Sequence, residues 1–565
     1  MRYFLSILIV VVTLNAININ DISEERVKKQ IGRMIIIGFE NRMVNKNSKI
    51  VKDIQKYDLG GVILFDKFYK DRRRVKNISS PKQLTILTKR LKLFAKKPLL
   101  ISIDQEGGKV SRLKSKDGFV KIPSAFKVSK MDRLDAKKAY DKQSQMLKNC
   151  GINCNFAPVV DLAVNPRNRI IQGLQRSFGD LKHTTKYAKI FMQSQKDKHI
   201  ISVLKHFPGH GSSVGDSHKG FVDISKTWTI RELEPYKKLI KSNSVDMIMT
   251  AHVFNDTLDK KYPATLSYKI NTQLLRGKLH YRGLIVSDDM QMKAITNRYS
   301  LKQSVTLAIN AGVDILLFGN QLAKQDLDEL IEIIYKQLKN GSIKYERVIE
   351  SNRRIENLHT KNSIISKPII FGKKRISLTK KYIKTHYGLD VKDIKIEPKS
   401  IVLHWTGMMN FSWCFNSMKK EKIISDRKYI KRAGLVNVSA HFLIDRDGTI
   451  YQLMPDNWMA RHTIGLNYNA IGIENVGGAR NRVEDLTQAQ VIANAKLIKY
   501  LKQKYPKIEY LLGHLEYFDM EKTSLWLEHN RRYRTYKADP GPKFMREVRE
   551  RVKFLGLKMP VHKKD

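Results

Sequence analysis

The sequence predicts an α/β protein with two folded regions, an N-terminal (β/α)8 barrel and, after it, a smaller mixed α/β domain. Eight short apolar runs recur between residues 33 and 319, and a segment of helical character follows each run. Apolar strands that alternate with helices form a parallel sheet covered on both faces, and eight such units in about 300 residues close into a barrel. The length of 565 residues exceeds one ordinary core, which leaves room for the second domain.

The eight predicted strands share β-branched or aliphatic side chains and lead into polar residues. They cover residues 34–39, 61–65, 99–103, 155–160, 201–204, 247–250, 284–287 and 315–318. In such barrels the reacting groups project from the C-terminal ends of the strands. Those ends supply Asp104, Asp161, Lys205, His206, His252, Asp288 and Asp289. We expect these side chains to face one pocket, although a single loop aspartate is more often a helix cap or an ion-pair partner.

Residues 205–220, KHFPGHGSSVGDSHKG, combine three histidines, an aspartate, two lysines and four glycines directly after the fifth predicted strand. A strand that opens into a polar, Gly-rich loop is a common place for chemistry on a rigid scaffold. The candidates in this loop are Lys205, His206, His210, Asp216 and His218. From the residues alone the loop could serve a metal, a phosphate or a sugar, and a turn with incidental histidines is the alternative.

The charge of the chain is unusual, with 105 Lys and Arg against 54 Asp and Glu and a formal net charge of +51. Nucleic acid is the first partner to consider for such a charge. The basic residues are spread along the whole chain, however, and no nucleic-acid motif accompanies them. An anionic polymer or a membrane surface would attract the same charge, so we expect no nucleic-acid partner.

The first residues predict export. Residues 1–16 contain one early cation and an apolar stretch of about a dozen residues, which is typical of a secretory signal peptide and too short for a confident membrane span. We therefore expect a periplasmic protein without a stable membrane span after removal of the signal. An uncleaved N-terminal anchor and a buried first helix are the alternatives. The three cysteines form no CxxC pair, which predicts buried thiols rather than a disulfide framework.

The second domain is predicted at 395–555, after a linker at 361–394 where apolar periodicity is weak. A strand ending in His404 opens this domain, residues 441–453 indicate a β-hairpin, and a further strand carries Glu474. This succession of strands predicts a mixed α/β fold. A basic tail, 556–565, follows it.

Three residues of this domain are candidates for a metal site. His404, His514 and Asp539 could bind zinc and leave a fourth position for water, as zinc hydrolases require. No local spacing such as HExxH demonstrates such a site. Surface histidines with satisfied hydrogen bonds are the alternative at this point.

Six segments of the first region resemble a known family. The region from about 22 to 360 is similar to the bacterial β-N-acetylglucosaminidases of glycoside hydrolase family 3. The segments that carry the resemblance, in order, are IDQEGGKVSRL (103–113), QRSFGD (175–180), KHFPGHG (205–211), DSH (216–218), TAHV (250–253) and SDDM (287–290). The resemblance implies a retaining glycosidase that needs no cofactor.

The resemblance also implies the roles of individual residues. Asp288 would be the nucleophile, and His218, paired with Asp216, would be the general acid and base. A histidine near its intrinsic pKa can move a proton at neutral pH, and the aspartate would orient its ring. The resemblance assigns the sugar-binding contacts to Asp104, Arg176, Lys205 and His206. Lys109 stands where the family commonly has arginine, and we leave it out of the site.

Segments of the second region resemble another family. LHWT (403–406), SAHFLIDRDG, GIEN, GHLE and KADPG are similar to the zinc-dependent N-acetylmuramoyl-L-alanine amidases of the type 2 amidase and peptidoglycan-recognition fold. The resemblance implies one zinc ion bound by His404, His514 and Asp539. It also implies that Glu474 activates water, that Lys537 stabilises the oxyanion and that His462 lines the cleft. An insertion of about twenty residues, 515–536, departs from the family and makes the assignment of Lys537 depend on its position.

The two resemblances together predict a bifunctional enzyme that degrades or recycles peptidoglycan. One activity would remove β-linked N-acetylglucosamine, and the other would cleave the amide between muramic acid and L-alanine. The expected partners are N-acetylglucosaminyl-muramoyl peptides. The alternative is a glycosidase whose C-terminal module binds peptidoglycan without catalysis.

Overall fold

The structure, a computed structural model, describes residues 19–242, 244–423 and 428–560. The predicted signal segment 1–16 and the last part of the basic tail lie outside the described residues. The chain divides into two compact units between Leu358 and His359. Among the described residues, no helix combines the length and the apolar character that crossing a membrane requires.

The first unit contains the predicted barrel, which is closed and has the strand order β1-β8-β7-β6-β5-β4-β3-β2. All its strand pairs are parallel, and β1 closes the barrel by pairing with both β8 and β2. The strands are β1 (Ile35–Gly38), β2 (Gly61–Ile63), β3 (Leu100–Ile103), β4 (Cys154–Asn155), β5 (Ile201–Phe207), β6 (Met247–Thr250), β7 (Leu284–Asp289) and β8 (Ile315–Phe318). The (β/α)8 prediction is confirmed, since all eight apolar runs supply a barrel strand.

Helices surround the strands of this unit. They are α1 (Glu24–Gly32), α2 (Lys49–Tyr57), α3 (Pro81–Phe94), α4 (Ala125–Val128), α5 (Arg133–Asn149), α6 (Leu181–Lys196), α7 (Glu234–Ile240), α8 (Lys293–Thr296), α9 (Leu301–Ala311), α10 (Leu327–Lys339) and α11 (Tyr345–Ser363), with a π-helix at Lys269–Lys278. Local sequence signals start several of them. The hydroxyl of Ser300 and the side chain of Gln303 form a capping box at α9, which satisfies amides that the first turn leaves unpaired.

Several barrel strands differ in length from the prediction, and the differences in the fourth and fifth strands shape the site. The fourth strand ends at Asn155 instead of continuing to residue 160, because Pro158 has no amide hydrogen to donate to a neighbouring strand. The fifth strand continues to Phe207, so Lys205 and His206 lie within the strand. The barrel wall itself therefore positions these two side chains.

The second unit is built on a six-stranded mixed sheet with the order β9-β12-β11-β13-β10-β14. Its strands are β9 (Ile365–Ser366), β10 (Ser400–Trp405), β11 (Phe442–Ile444), β12 (Ile450–Gln452), β13 (Ala470–Asn475) and β14 (Tyr510–Gly513). The predicted hairpin is present, with β11 and β12 antiparallel, and the other pairs are parallel. Its helices are α12 (Lys373–Tyr387), α13 (Phe411–Lys419), α14 (Lys428–Arg432), α15 (Gln488–Lys504) and α16 (Pro542–Val552).

The linker expected at 361–394 is folded and belongs to the second unit. This segment contains β9, which pairs with β12, and the four-turn helix α12. Tyr382, Ile383 and Tyr387 of α12 are buried in the core of the second unit. The expectation was wrong because the buried face of α12 also includes Arg375, Thr379 and His386, whose polar groups mask the apolar periodicity.

Candidate active sites

The C-terminal ends of barrel strands bring the predicted sugar-binding residues together. Lys205 is 3% exposed, and its Nζ lies 2.9 Å from Oδ1 of Asp104 and 2.7 Å from Oε1 of Glu106. Arg112 contacts the other oxygen of Asp104 at 3.4 Å. Burial by itself raises the pKa of Asp104, but Lys205 and Arg112 outweigh it and hold this pKa below its usual value.

Glu106 is an essential part of this cluster that the sequence analysis missed. Arg176 binds it with two parallel hydrogen bonds, from Nε and Nη2, both 2.8 Å long. Burial opposes the ionised carboxylate, yet Arg176 and Lys205 together lower the pKa of Glu106 to about 2. The signal was available, because Glu106 lies two residues beyond Asp104 in the segment DQEGG.

His206 lies between an acceptor and a donor. Its Nδ1 is 2.7 Å from Oδ2 of the buried Asp161, and its Nε2 is 3.2 Å from Nη2 of Arg176. Since a guanidinium only donates, Nε2 accepts this hydrogen bond and Nδ1–H donates to Asp161. These contacts orient the ring, with Nδ1 toward Asp161 and Nε2 toward Arg176.

The predicted acid and base residue lies on the loop after β5. Nδ1 of His218 is 2.9 Å from Oδ1 of Asp216, which also accepts the His218 backbone amide at 3.0 Å. The His218 side chain is 48% exposed, so its other nitrogen is accessible to a substrate. The loop is held next to the segment after β7 by a 3.2 Å hydrogen bond from the amide of Ala294 to the carbonyl of Ser217.

Two adjacent aspartates at the end of β7 have opposite properties. Burial raises the pKa of Asp288, but His252, His206 and His218 outweigh burial and hold it below its usual value. Burial raises the pKa of Asp289 to about 6. One oxygen of Asp289 accepts the backbone amides of Gln291 and Gly319, at 3.1 and 3.2 Å. Asp288 is therefore the more acidic carboxylate of the pair, and Asp289 joins two backbone segments.

His252, just after β6, and His210, on the loop after β5, are both buried, and hydrogen bonds hold each of them in place. His252 contacts Oγ1 of Thr265 through Nδ1 at 2.8 Å and the carbonyl of Asp289 through Nε2 at 3.0 Å. His210 contacts Ser213 through its ring at 2.6 Å and donates its amide to Asp161. His252 thus supports the end of β7, and the contacts of His210 hold the first part of the loop after β5.

The second unit brings three predicted metal ligands together although they are far apart in sequence. His404 lies on β10, His514 follows β14, and Asp539 precedes α16. Oδ2 of Asp539 lies 3.2 Å from Nδ1 of His404 and 3.1 Å from Nδ1 of His514. All three side chains are buried, and their ligand atoms lie within 4.8 Å of one another. Two imidazoles and a carboxylate in this arrangement fit a zinc ion.

The electrostatics of this cluster favour metal-binding forms of the ligands. Burial, His404 and Lys537 lower the pKa of His514 to about 4, against the opposing effect of Asp539. Burial opposes the ionised form of Asp539, but His514 and His404 hold its pKa well below the usual range. A neutral imidazole and an ionised carboxylate are the forms that coordinate a metal.

His462 contacts a predicted ligand directly. Its Nδ1 lies 3.0 Å from Nε2 of His404, on the side of that ring opposite Asp539. Gly472 makes room for it, since a Cβ there would lie 2.6 Å from the His462 ring. His462 also lines the cleft in front of the three ligands, as predicted.

Glu474 and Lys537 line the same cleft, so all six residues predicted for this site are together. Glu474 lies beside His404 in the register of β13 and β10. The insertion 515–536 and α12 also contribute, since Tyr382, Tyr533 and Thr535 line the cleft. A buried contact of 2.8 Å between His386 and Glu528 joins the helix to the insertion.

Comparisons with known proteins match both regions. The sequence model described as "Glycosyl hydrolase family 3 N terminal domain" matches residues 26–358, and the one described as "N-acetylmuramoyl-L-alanine amidase" matches residues 395–542. The chain is 33% identical over 337 residues to Beta-hexosaminidase A of Pseudoalteromonas piscicida, and this match covers 54% of each of the two chains. It is 32% identical over 326 residues to a Beta-hexosaminidase of Photobacterium profundum, which covers 56% of this chain and 92% of that one.

A solved structure agrees with these matches. The crystal structure of a glycosyl hydrolase of the GH3 family from Mycobacterium smegmatis has a TM-score of 0.51 and 26% identity, covering 59% of this chain and 96% of that one. The first family match alone spans more than half of the chain, and it coincides with the barrel. The chain therefore belongs to glycosyl hydrolase family 3, with an N-acetylmuramoyl-L-alanine amidase domain after its barrel.

Proposed function

We propose that this protein is a bifunctional peptidoglycan hydrolase. The barrel removes β-linked N-acetylglucosamine with retention, and the second unit cleaves the amide between muramic acid and L-alanine. The observation that supports the proposal is that each unit brings together, from distant segments, the residues that the family resemblance implies as reacting groups. In the barrel these are Asp288 and the His218–Asp216 pair, and in the second unit they are the three ligands with Glu474.

The barrel chemistry follows from Asp288 at the end of β7 and His218 on the loop after β5. The ionised carboxylate of Asp288 attacks the anomeric carbon while the bond to the leaving oxygen breaks, and His218 gives that oxygen a proton. In the second half-reaction His218 takes a proton from water, which attacks the same carbon and releases Asp288. Because Nδ1 of His218 contacts Asp216, Nε2 is the nitrogen that exchanges the proton.

The remaining barrel residues bind the sugar. Lys205 forms ion pairs with both Asp104 and Glu106, and Arg176 forms one with Glu106, so the outward hydrogen-bonding groups of these side chains are oriented before substrate arrives. His206 is fixed in the same way by Asp161. These groups hold the hydroxyl and acetamido groups of N-acetylglucosamine against Asp288.

In the second unit His404, His514 and Asp539 would hold a zinc ion, which would supply Lewis-acid chemistry at the amide carbonyl and at the attacking water. Glu474 takes the proton of the attacking water and passes it to the leaving nitrogen of L-alanine. The ammonium group of Lys537 stabilises negative charge on the former carbonyl oxygen. His462 accepts the Nε2 hydrogen of His404 and thereby fixes the orientation of that ring.

The substrate class and the compartment are part of the same proposal. Both cleavable bonds occur in one N-acetylglucosaminyl-muramoyl peptide, and the stem peptide of such a fragment carries carboxylates. A chain with a net charge of +51 attracts such anions by long-range electrostatics. We place the reaction in the periplasm, where wall fragments arise.

The test uses one defined disaccharide-peptide and follows both products by mass spectrometry. Asp288→Asn is expected to lower release of N-acetylglucosamine by about 10³-fold or more while amide cleavage stays unchanged. Removal of metal with a chelator is expected to do the reverse, with recovery on addition of zinc. If chelation stops both reactions, the two sites are not independent. If the zinc-loaded protein never cleaves the amide, the second unit is a binding module.

A further inference from the structure

Three side chains on the rim of the barrel form a partly exposed cluster that the reaction described above does not use. The rings of Phe221 and Phe254 lie 5.4 Å apart between centroids, and Cζ of Arg298 lies 3.5 Å from the centroid of the Phe221 ring. Phe221 is 37% exposed and Arg298 is exposed. Neither ring belongs to the apolar core of the barrel. The need for a core therefore does not explain the cluster.

The cluster draws one residue from each of the three loops that carry reacting or supporting groups. Each loop leaves the barrel at a strand end and reaches the cluster within fourteen residues. Along the chain, His218 and Phe221 follow β5, and His252 and Phe254 follow β6. Asp288 lies near the end of β7, and Arg298 follows that strand.

Backbone contacts hold these three loops together. Residues Val222–Asp223 pair in parallel with Val253–Phe254, and the amide of Ile224 donates to the carbonyl of Phe254 at 2.9 Å. The amide of Ala294 donates to the carbonyl of Ser217, as described for the acid and base loop. The cluster is therefore fixed on the side of the pocket where His218 stands.

The position of His218 determines which part of a substrate meets the cluster. His218 protonates the leaving oxygen, so the leaving group lies on its side of the pocket, and N-acetylglucosamine lies at Asp104 and Lys205. A phenyl ring three residues from His218 is placed to contact the leaving sugar. Apolar sugar faces pack on aromatic rings, which bury a large area with few rotatable bonds.

The charge of Arg298 determines the kind of leaving group. Over the described ranges of the chain Arg298 takes part in no ion pair, and Asp223 near Phe221 binds Ser225 instead. A guanidinium that stacks on a ring keeps the N–H groups on its edge free for a carboxylate. Stacking on Phe221 also reduces the entropy that Arg298 loses when it binds an anion.

We propose that Phe221, Phe254 and Arg298 form the leaving-group subsite of the glycosidase and select a leaving sugar that carries a carboxylate. The proposal rests on the proposed glycosidase function of the barrel. In a muropeptide the carboxylate comes either from the lactyl group of muramic acid, once the amide has been cleaved, or from the stem peptide. The lactyl group is attached next to the leaving oxygen, within reach of a residue beside His218.

The test compares Arg298→Gln with the wild-type protein on three substrates. These are N-acetylglucosaminyl-muramic acid, its peptide-bearing form, and diacetylchitobiose, whose leaving sugar has no carboxylate. We expect kcat/KM for at least one carboxylated substrate to fall about 10-fold, mainly through KM, and that for diacetylchitobiose to stay within about twofold. Arg282→Gln, at the exposed N-terminal end of β7, is the matched control and is expected to change none of them.

The outcomes distinguish the lactyl group from the stem peptide as the source of the carboxylate. They also distinguish a failure of the subsite from a failure of the proposed glycosidase function. A loss confined to the disaccharide without peptide assigns the lactyl group, and a loss confined to the peptide form assigns the stem. An equal loss on all three substrates, or no loss on either carboxylated one, overturns the subsite. If the wild-type protein hydrolyses none of the three, the proposed glycosidase function itself fails.

A second variant tests the aromatic part of the subsite. Phe221→Ala is expected to lower kcat/KM about fivefold on all three sugar leaving groups, because the ring contacts the sugar face whatever its charge. The wild-type preference for carboxylated substrates is also expected to shrink as salt is added, and that of Arg298→Gln to stay flat. A preference that is insensitive to salt in the wild type contradicts a role for Arg298.

Discussion

The two sites differ in how they balance buried charge. In the barrel, Glu106 and Asp104 are neutralised by Lys205, Arg176 and Arg112 within the site. In the second unit, by contrast, the carboxylate of Asp539 faces the nitrogens of two imidazoles. The first arrangement is complete without any further ion, and the second gathers ligand atoms where a cation would bind.

The two units also differ in where they place the groups that move protons. The barrel places its proton donor, His218, on a half-exposed loop, where it can reach the leaving oxygen of a bulky substrate. The second unit keeps His404 and His514 buried and places Glu474 and Lys537 on the cleft wall. A histidine is therefore a proton carrier in one unit and a metal ligand in the other, and its surroundings determine which.

The largest expected effect concerns the proton donor of the barrel. His218→Ala is expected to lower kcat about 10² to 10⁴-fold on diacetylchitobiose, because the leaving alkoxide then departs unprotonated. The loss is expected to be much smaller on an aryl glycoside whose phenol leaves readily. Steady-state kinetics on the two substrates measure the difference. An equal loss on both would mean that His218 only supports the structure, and amide cleavage should stay constant throughout.

The next prediction addresses the ligand set of the second unit. Asp539→Ala is expected to weaken zinc binding by more than about 100-fold, beyond the loss typical of an outer contact. His462→Asn, which alters the contact to Nε2 of His404 and leaves the three ligands in place, is expected to cost 10- to 100-fold. Competition with a chromophoric chelator measures both affinities without reference to activity. If both variants bind zinc as the wild type does, His404, His514 and Asp539 are not the ligands.

A third prediction tests the internal charge balance of the barrel. Glu106→Gln leaves Lys205 and Arg176 with one buried carboxylate fewer, which is expected to destabilise the barrel by about 3 kcal/mol. Calorimetry of the barrel transition measures this change. Glu234→Gln removes an exposed ion pair with Lys237 and is the control, expected within about 1 kcal/mol of the wild type. Equal melting temperatures for the two variants would contradict the proposed charge balance.

The sequence predicted the barrel well because its strands are buried on both faces and appear as uninterrupted apolar runs. The ends of these runs also predicted Asp288, Lys205 and His206 as site residues, because the C-terminal end of each strand lies at the rim of the pocket. Glu106 was not predicted as a site residue, because its role depends on Arg176, which lies 70 residues further along the chain. Helix α12 was not predicted for a related reason. Its buried side chains include Arg375 and His386, which become recognisable as core residues only beside their partners.

The smallest expected effect is a pH dependence that belongs to the barrel alone. Glu232 is buried, and its Oε2 accepts the amide of Gly211 at 2.8 Å, in the loop that carries His218. Burial raises the pKa of Glu232 to about 7. Below pH 4.5 the carboxyl group is protonated in both the folded and the unfolded chain. Between pH 4.5 and 7 only the folded chain keeps the proton, so stability falls as pH rises, by at most about 3 kcal/mol.

Glu232→Gln removes this titration and keeps an oxygen that can accept the Gly211 amide. The melting temperature of the barrel is expected to fall less between pH 4.5 and 7.5 in the variant than in the wild type, since all other groups titrate equally in both. Calorimetry at the two pH values measures the difference. An identical pH dependence in the two proteins would show that the folded chain keeps Glu232 ionised. The loop that carries His218 would then be held by an ionised Glu232, whose charge is stabilised by hydrogen bonds such as that from the amide of Gly211.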